Sequence, residues 1–231
     1  MTKIFCDIAE LKTIKKFNKK KIVKGFTTNP SLMRNAGAKN YSQYSKKILK
    51  ISEKKPVSLE VFADDIKNMR KQAIIINSWG NNVYVKIPVT NSKGKFMGKL
   101  IKDLNNLNIK LNITAVYTSS QTRKILKNLN KKSKSIISIF AGRMSDKGKD
   151  PLPVFKKSIF LRKKNKNIEI LWASTRETLN IFQAEDLGCH IITVPHEILN
   201  KLSNLDKNLD DFSLDTVKSF YKDAVSAGFK I

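Results

Sequence analysis

Cysteine and histidine are scarce in this chain of 231 residues, two of each. That is too few for a disulfide framework or a metal cage built from several histidines. Glycine (9) and proline (6) are also few, and neither gathers into a linker or a low-complexity segment. No glycine-rich phosphate turn of the GxGxxG or Walker type is present, which weighs against a nucleotide-binding doubly wound sheet. No apolar run approaches the ~20 residues that span a bilayer. The opening MTKIFCDIAE lacks the layout of a secretory signal. The expectation is a cytoplasmic protein without a membrane partner, with Cys6 and Cys189 reduced.

Acidic residues are the last shortage: 19 Asp and Glu stand against 45 Lys and Arg, a formal net charge of +26. A field of that sign attracts polyanions, so nucleic acid is weighed as a partner. The lysines fall in short pairs and triplets along the whole chain, among them Lys19-Lys20-Lys21, Lys46-Lys47, Lys54-Lys55, Lys131-Lys132 and Lys163-Lys164. No aromatic interleaving, helix-turn-helix or zinc-finger spacing accompanies them. They read as a solvated basic surface, with no specific nucleic-acid site.

What the chain does have is alternation. Short β-branched runs at Lys3–Asp7, Lys24–Thr28, Val57–Val61, Val83–Ile87, Leu111–Thr114, Ser135–Phe140, Ile168–Ala173 and His190–Val194 are bounded by Gly, Asn, Asp or Pro. Amphipathic stretches such as Tyr41–Ile51, Ile66–Trp79, Phe96–Leu107 and Gln121–Leu129 lie between them. About eight strand–helix units match a (β/α)8 barrel. The chain therefore reads as one α/β domain over residues 1–231, with an added C-terminal helix at about Leu214–Ala227.

Strands of a parallel barrel are buried on both faces, so polar residues inside them are costly unless paired or used. Parity groups them here. Lys3, Phe5 and Asp7 share one face of strand one; Gly25, Thr27 and Asn29 align on strand two, and Ser58 and Glu60 on strand three. Tyr84 and Lys86, Asn112 and Thr114, Ser138 and Phe140, and Trp172 and Ser174 follow on strands four to seven. These sets suit the lumen and the alternate apolar sets suit the helices. Most sit at the C-terminal strand ends, where such barrels carry active sites. Taken singly, some have plainer readings: Glu60 with Lys86 as a buried ion pair, Asp7 in DIAE as a helix cap, Arg143 and Arg176 as surface arginines. Jointly they point to a lysine in a desolvated pocket with carboxylates in reach.

Such a lysine attacks a carbonyl as the neutral amine and forms an imine; burial disfavours its ammonium form. Asp7 and Glu60 are the carboxylates available for proton transfer. Arg143 and Arg176, following strands six and seven, fit a phosphate. His190 and His196 lack partners at ligand spacing, so they read as structural, and neither metal nor cofactor is expected.

The blocks FCDIAE, GFTTNPSLM, SLEVFA, VYVKIPVT, NITAVY, FAGRMSD, ASTRET and TVP, in this order over nearly the whole chain, resemble the transaldolase family, in particular its short single-domain members. The resemblance implies that Lys86 is the Schiff-base lysine and Asp7 the acid/base of carbon–carbon cleavage. Glu60, with Thr114 and a water, is then the proton relay of imine formation. Thr27 and Asn29 hold substrate hydroxyls, Asn112 and Ser138 contact the sugar, and Arg143, Ser174 and Arg176 bind phosphate. It implies sugar phosphates as substrates, transfer of a dihydroxyacetone unit between them in the non-oxidative pentose phosphate pathway, and a homo-oligomer, pentamer or decamer. Sister fructose 6-phosphate aldolases typically carry Gln at the place of Glu60, Tyr at that of Phe140 and no Asn at that of Asn112, so the transferase form is expected here. Thr175 and Glu177 depart from the family pattern, and a Glu177 pointing inward would weaken phosphate binding.

Overall fold

The β-branched runs pair edge to edge into a closed parallel barrel in chain order. Its strands are β1 (Lys3–Asp7), β2 (Val23–Thr27), β3 (Val57–Glu60), β4 (Val83–Pro88), β5 (Leu111–Val116), β6 (Ser135–Phe140), β7 (Ile168–Ala173) and β8 (Ile191–Pro195). The computed structural model describes every residue except Lys131, so that member of the Lys131–Lys132 pair lies outside the described residues. β1 pairs with both β2 and β8, which closes the ring and leaves no free sheet edge. This is a (β/α)8 barrel, and it occupies Met1–Leu199.

The helices outside the barrel begin where side chains satisfy their first amides. Asn40 Oδ1 accepts from the Gln43 N–H at 3.0 Å and starts Tyr41–Ser52. Asp65 starts Ile66–Asn77 in the same way. Thr118 and Gln121 cap Ser119–Leu126 reciprocally. Asp7 caps nothing: the first helix, Leu11–Asn18, starts four residues later, and its N-cap is Glu10, whose side chain makes no cap bond.

The parity reading holds for β4, β5 and β6 but is reversed on β7. There Leu171 and Ala173 join Phe5, Tyr84, Ile136 and Ile191 in an apolar cluster, with Phe140 packed against it. Trp172 turns outward and stacks on Phe155 of the helix Leu152–Arg162, ring centroids 4.6 Å apart. The indole, 1% exposed, finds a flat partner between sheet and helix.

Cys6 and Cys189 are buried free thiols, both pushed up to about 12 by burial. His190 Nδ1 accepts from the Ile170 N–H at 3.1 Å, and burial brings the ring down to about 4, so it is neutral and structural. Asn200–Ile231 forms a second unit. Its helix runs Leu209–Ala227, starting five residues before the expected Leu214, because Asn208 accepts from the Asp211 N–H and Asp210 and Asp211 favour the first turn. No helix among the described residues is long and apolar enough to cross a membrane.

Candidate active site

A cavity of about 510 Å³ opens at the C-terminal ends of the strands. Its walls include Asp7, Thr27, Asn29, Glu60, Lys86, Asn112, Thr114, Ser138, Phe140, Arg143, Ser174 and Arg176. These twelve candidate site residues, named from the sequence, therefore reach one space.

Register explains the floor. Glu60, Lys86 and Asn112 lie directly opposite one another across β3, β4 and β5. Lys86 is 7% exposed, and its Nζ sits 2.9 Å from Glu60 Oε2 and donates to the Thr28 carbonyl at 2.8 Å. The buried ion pair and the lysine of a desolvated pocket, set apart in the sequence, are one arrangement. For Lys86 to act as a nucleophile its ammonium must first surrender a proton, and Glu60 is in contact to take it. The backbone of Glu60 is clamped by Tyr41, whose phenol accepts from the Glu60 N–H and donates to its carbonyl, both at 2.9 Å. Tyr41 positions the carboxylate, and it has no sequence signal because its helix lies outside the barrel.

A second polar line crosses the lumen beside this one. Ser138 donates to Asn112 Oδ1 at 2.6 Å, and Asn112 Nδ2 donates to Ser58 Oγ at 3.0 Å, all three buried. On the other side Thr27 donates to Asp7 Oδ1 at 2.6 Å and meets the Thr193 hydroxyl. Burial raises the Asp7 carboxyl above the usual aspartate range, and the Thr27 bond and the Lys86 charge pull it back in part. A carboxyl so placed exchanges protons nearer neutrality than a surface aspartate. Asn29 has two duties, since Oδ1 caps the helix Pro30–Asn35 through the Leu32 N–H at 2.9 Å. Thr114 Oγ1 is buried and without a hydrogen-bond partner, an open position for a water or a substrate hydroxyl.

The upper wall is made by backbone in unusual states. Ala115 and Ser174 are non-glycine residues with φ of 58° and 63°. Parity sends Ala173 into the lumen, so the left-handed turn at Ser174 is what brings the next residue to the mouth. Gly142 permits this turn, because a Cβ there would lie 1.8 Å from the Ser174 carbonyl oxygen. Gly142→Ala is expected to cost about 1–3 kcal/mol and to displace Ser174 and Arg176; urea unfolding beside an activity assay checks this, and unchanged values in both would contradict it.

The Arg143 guanidinium lies 5.7 Å from the Phe140 ring centroid, and Tyr117 flanks that ring. Arg176 makes a two-pronged contact with Asp146, Nη2 to Oδ2 at 2.6 Å and Nε to Oδ1 at 3.2 Å. Glu177 is exposed and does not line the cavity, whereas Thr175 lines it with its hydroxyl on the Thr193 carbonyl at 2.7 Å. The carboxylate already in contact with Arg176 is thus Asp146, not Glu177. Asp146→Asn is expected to lower KM for a phosphorylated substrate roughly two- to fivefold; a raised KM would show that Asp146 holds Arg176 in its working position.

Residues 4–231 match the family model described as transaldolase/fructose-6-phosphate aldolase. The chain belongs to this family. Among its relatives, a protein of Nitrosopumilus maritimus named "probable transaldolase" is 35% identical over 87% of this chain and 86% of its own. One of the same name from a Thermoanaerobacter species is 30% identical over 99% of this chain and 100% of its own. Among solved structures, 3-hexulose-6-phosphate synthase from Salmonella typhimurium superposes with a TM-score of 0.58 at 14% identity, covering 86% of this chain and 91% of that one. At that identity the likeness concerns the barrel alone.

Proposed function

We propose that this family member is a transaldolase. It moves a dihydroxyacetone unit from sedoheptulose 7-phosphate to glyceraldehyde 3-phosphate, giving erythrose 4-phosphate and fructose 6-phosphate. The observation that carries the reading is the buried Lys86 Nζ in contact with Glu60, on the floor of a cavity that also holds Asp7.

Glu60 accepts a proton from the Lys86 ammonium, and the free amine attacks the ketose carbonyl. The carbinolamine loses its hydroxyl as water, with the proton returned by Glu60 through a water at the open Thr114 hydroxyl, and an imine forms. Asp7 takes the proton of the hydroxyl carried by the far carbon of the bond to be broken, so that this oxygen becomes the carbonyl of the leaving aldehyde. The carbon–carbon bond breaks, an aldose leaves, and its electron pair is stored as the enamine. The acceptor aldehyde then enters, the enamine carbon attacks it, and Asp7 returns the proton to the new hydroxyl. Hydrolysis of the imine through Glu60 frees the product and restores Lys86. Arg143, Arg176 and Ser174 hold the phosphate, and Thr27, Asn29, Asn112 and Ser138 hold hydroxyls of the chain.

The family also includes aldolases, which release the three-carbon unit as free dihydroxyacetone. Glu60, Phe140 and Asn112 favour transfer over release. The coupled assay decides: fructose 6-phosphate should be consumed rapidly only when erythrose 4-phosphate is supplied. Dihydroxyacetone released at a comparable rate without acceptor would assign the chain to the aldolases instead. A place in the non-oxidative pentose phosphate pathway, in the cytoplasm, follows from these substrates. Phe212, Val217, Phe220 and Tyr221 of the helix Leu209–Ala227 are each more than half exposed, which supports a homo-oligomer in which this helix is covered by a neighbour; five or ten chains is what the family resemblance implies.

A further inference from the structure

The opposite end of the barrel, where the strands enter, holds a second cavity of about 660 Å³. It shares no lining residue with the catalytic one. The apolar cluster separates them: Phe5, Tyr84 and Ile136 face the lower cavity, while Leu171 and Ala173 face the upper. The Phe5 ring fills the centre because position 25 is glycine; a Cβ there would lie 2.7 Å from Phe5 Cζ.

Six lysines line this lower mouth: Lys3 on β1, Lys24 on β2, Lys54 before β3, Lys110 and Lys134 directly before β5 and β6, and Lys166 before β7. They come from six of the eight strand–helix units, β4 and β8 giving none, and they lie 21 to 56 residues apart in sequence, which is why a linear reading takes them for scattered surface charge. Closing the barrel turns that spacing into a ring. Two carboxylates answer them, Glu53 and Glu169, and Glu169 is already paired with Lys3. Lys110 is the most enclosed: its Nζ donates to the Asn81 carbonyl and lies 5.7 Å from the Tyr84 ring centroid, and burial together with the Lys134 charge lowers its affinity for its proton.

Residues at this end of such barrels ordinarily serve stability. Like charges converging on one concave surface work against stability, so packing gives no account of them, whereas a focused positive field is what an anion site requires. We propose that the lower mouth binds a polyphosphate chain, either free or as the tail of a nucleotide. A single phosphate would leave most of the lysines and most of the volume unused. Lysine supplies point charges that follow a flexible phosphate chain without demanding one geometry. A nucleic-acid strand is disfavoured: Phe5 and Tyr84 are only 3% and 8% exposed and offer no surface on which bases could stack. The inference is independent of the reaction assigned to the upper cavity.

Calorimetric titration of the full chain with tripolyphosphate, and separately with ATP, at fixed ionic strength and without divalent metal tests it. Saturable binding of one titrant per chain is expected for at least one of the two. Tripolyphosphate binding places the site's preference on a free chain, and binding of ATP alone places it on a nucleotide tail. Lys110→Gln with Lys134→Gln should weaken that binding roughly ten- to a hundredfold and leave sugar-phosphate turnover unchanged. Arg143→Gln with Arg176→Gln, in the upper cavity, should keep it. If the first pair fails to fold, Lys24→Gln with Lys166→Gln makes the same test from exposed positions. No saturable binding of either titrant, equal affinity in the lysine variants, or loss in the arginine variants would overturn the proposal. So would lysine-dependent binding of a labelled single-stranded RNA that neither titrant displaces.

Discussion

Lys86→Ala is expected to reduce kcat for dihydroxyacetone transfer by roughly four to six orders of magnitude, the cost of deleting a covalent nucleophile. The residual rate should stem from binding alone, and the KM for sugar phosphate should change little because the proposed phosphate-binding Arg143, Ser174 and Arg176 are untouched. Removal of Lys86 also leaves Glu60 half of a broken pair. Truncating one partner of a buried pair typically costs about 3–5 kcal/mol, yet Glu60 has solvent access, 18% of its side chain against 9% for Lys86. The stability loss should therefore fall below that range, and a melting curve beside the assay separates unfolding from lost chemistry. A variant that stays folded and keeps wild-type kcat would remove the imine from the mechanism.

Asp7→Asn is expected to lower kcat about 10²–10⁴-fold, the usual contribution of a positioned acid/base, while imine formation survives because Glu60 serves that step. The pH profile carries the sign. Asp7 must be ionised to accept the hydroxyl proton, and burial holds its carboxyl above the usual aspartate range, so it stays protonated to a higher pH than a surface aspartate. Activity should fall as pH drops through that raised value, and the variant should lose this limb. Stability should move the other way. A carboxyl whose folded-state value exceeds its unfolded one destabilises the native state once pH rises above the unfolded value, so Asp7→Asn should melt no lower than the wild type at neutral pH. An unchanged profile together with an unchanged rate would place the acid/base elsewhere.

Both predictions rest on residues whose convergence was legible before any coordinates. Period-two alternation is geometric, so Glu60, Lys86 and Asn112 were bound to share the lumen once their strands were parallel and in register. The same rule misplaced Trp172, because parity defines two faces without saying which is inward, and on β7 both faces are apolar enough to pass. It named Ser174, which does line the cavity, but through the wrong parity, since the direction of that residue is set by a left-handed backbone; and it had no access to Asp146, whose pairing with Arg176 joins two loops 30 residues apart. The early start at Leu209 depends on one asparagine capping bond, weaker in sequence than the hydrophobic periodicity that begins further on. The lysine ring at the lower mouth was hidden for a related reason: its members are neighbours around a circle and strangers along the chain.

The central claim is an imine between Lys86 and the ketose. Borohydride added to the enzyme with fructose 6-phosphate, followed by peptide mass mapping, tests it most directly. The account predicts irreversible inactivation with a dihydroxyacetone-derived adduct confined to the peptide that carries Lys86, and no adduct without the sugar. An enzyme that keeps its activity under these conditions, or an adduct on any other lysine, would contradict it.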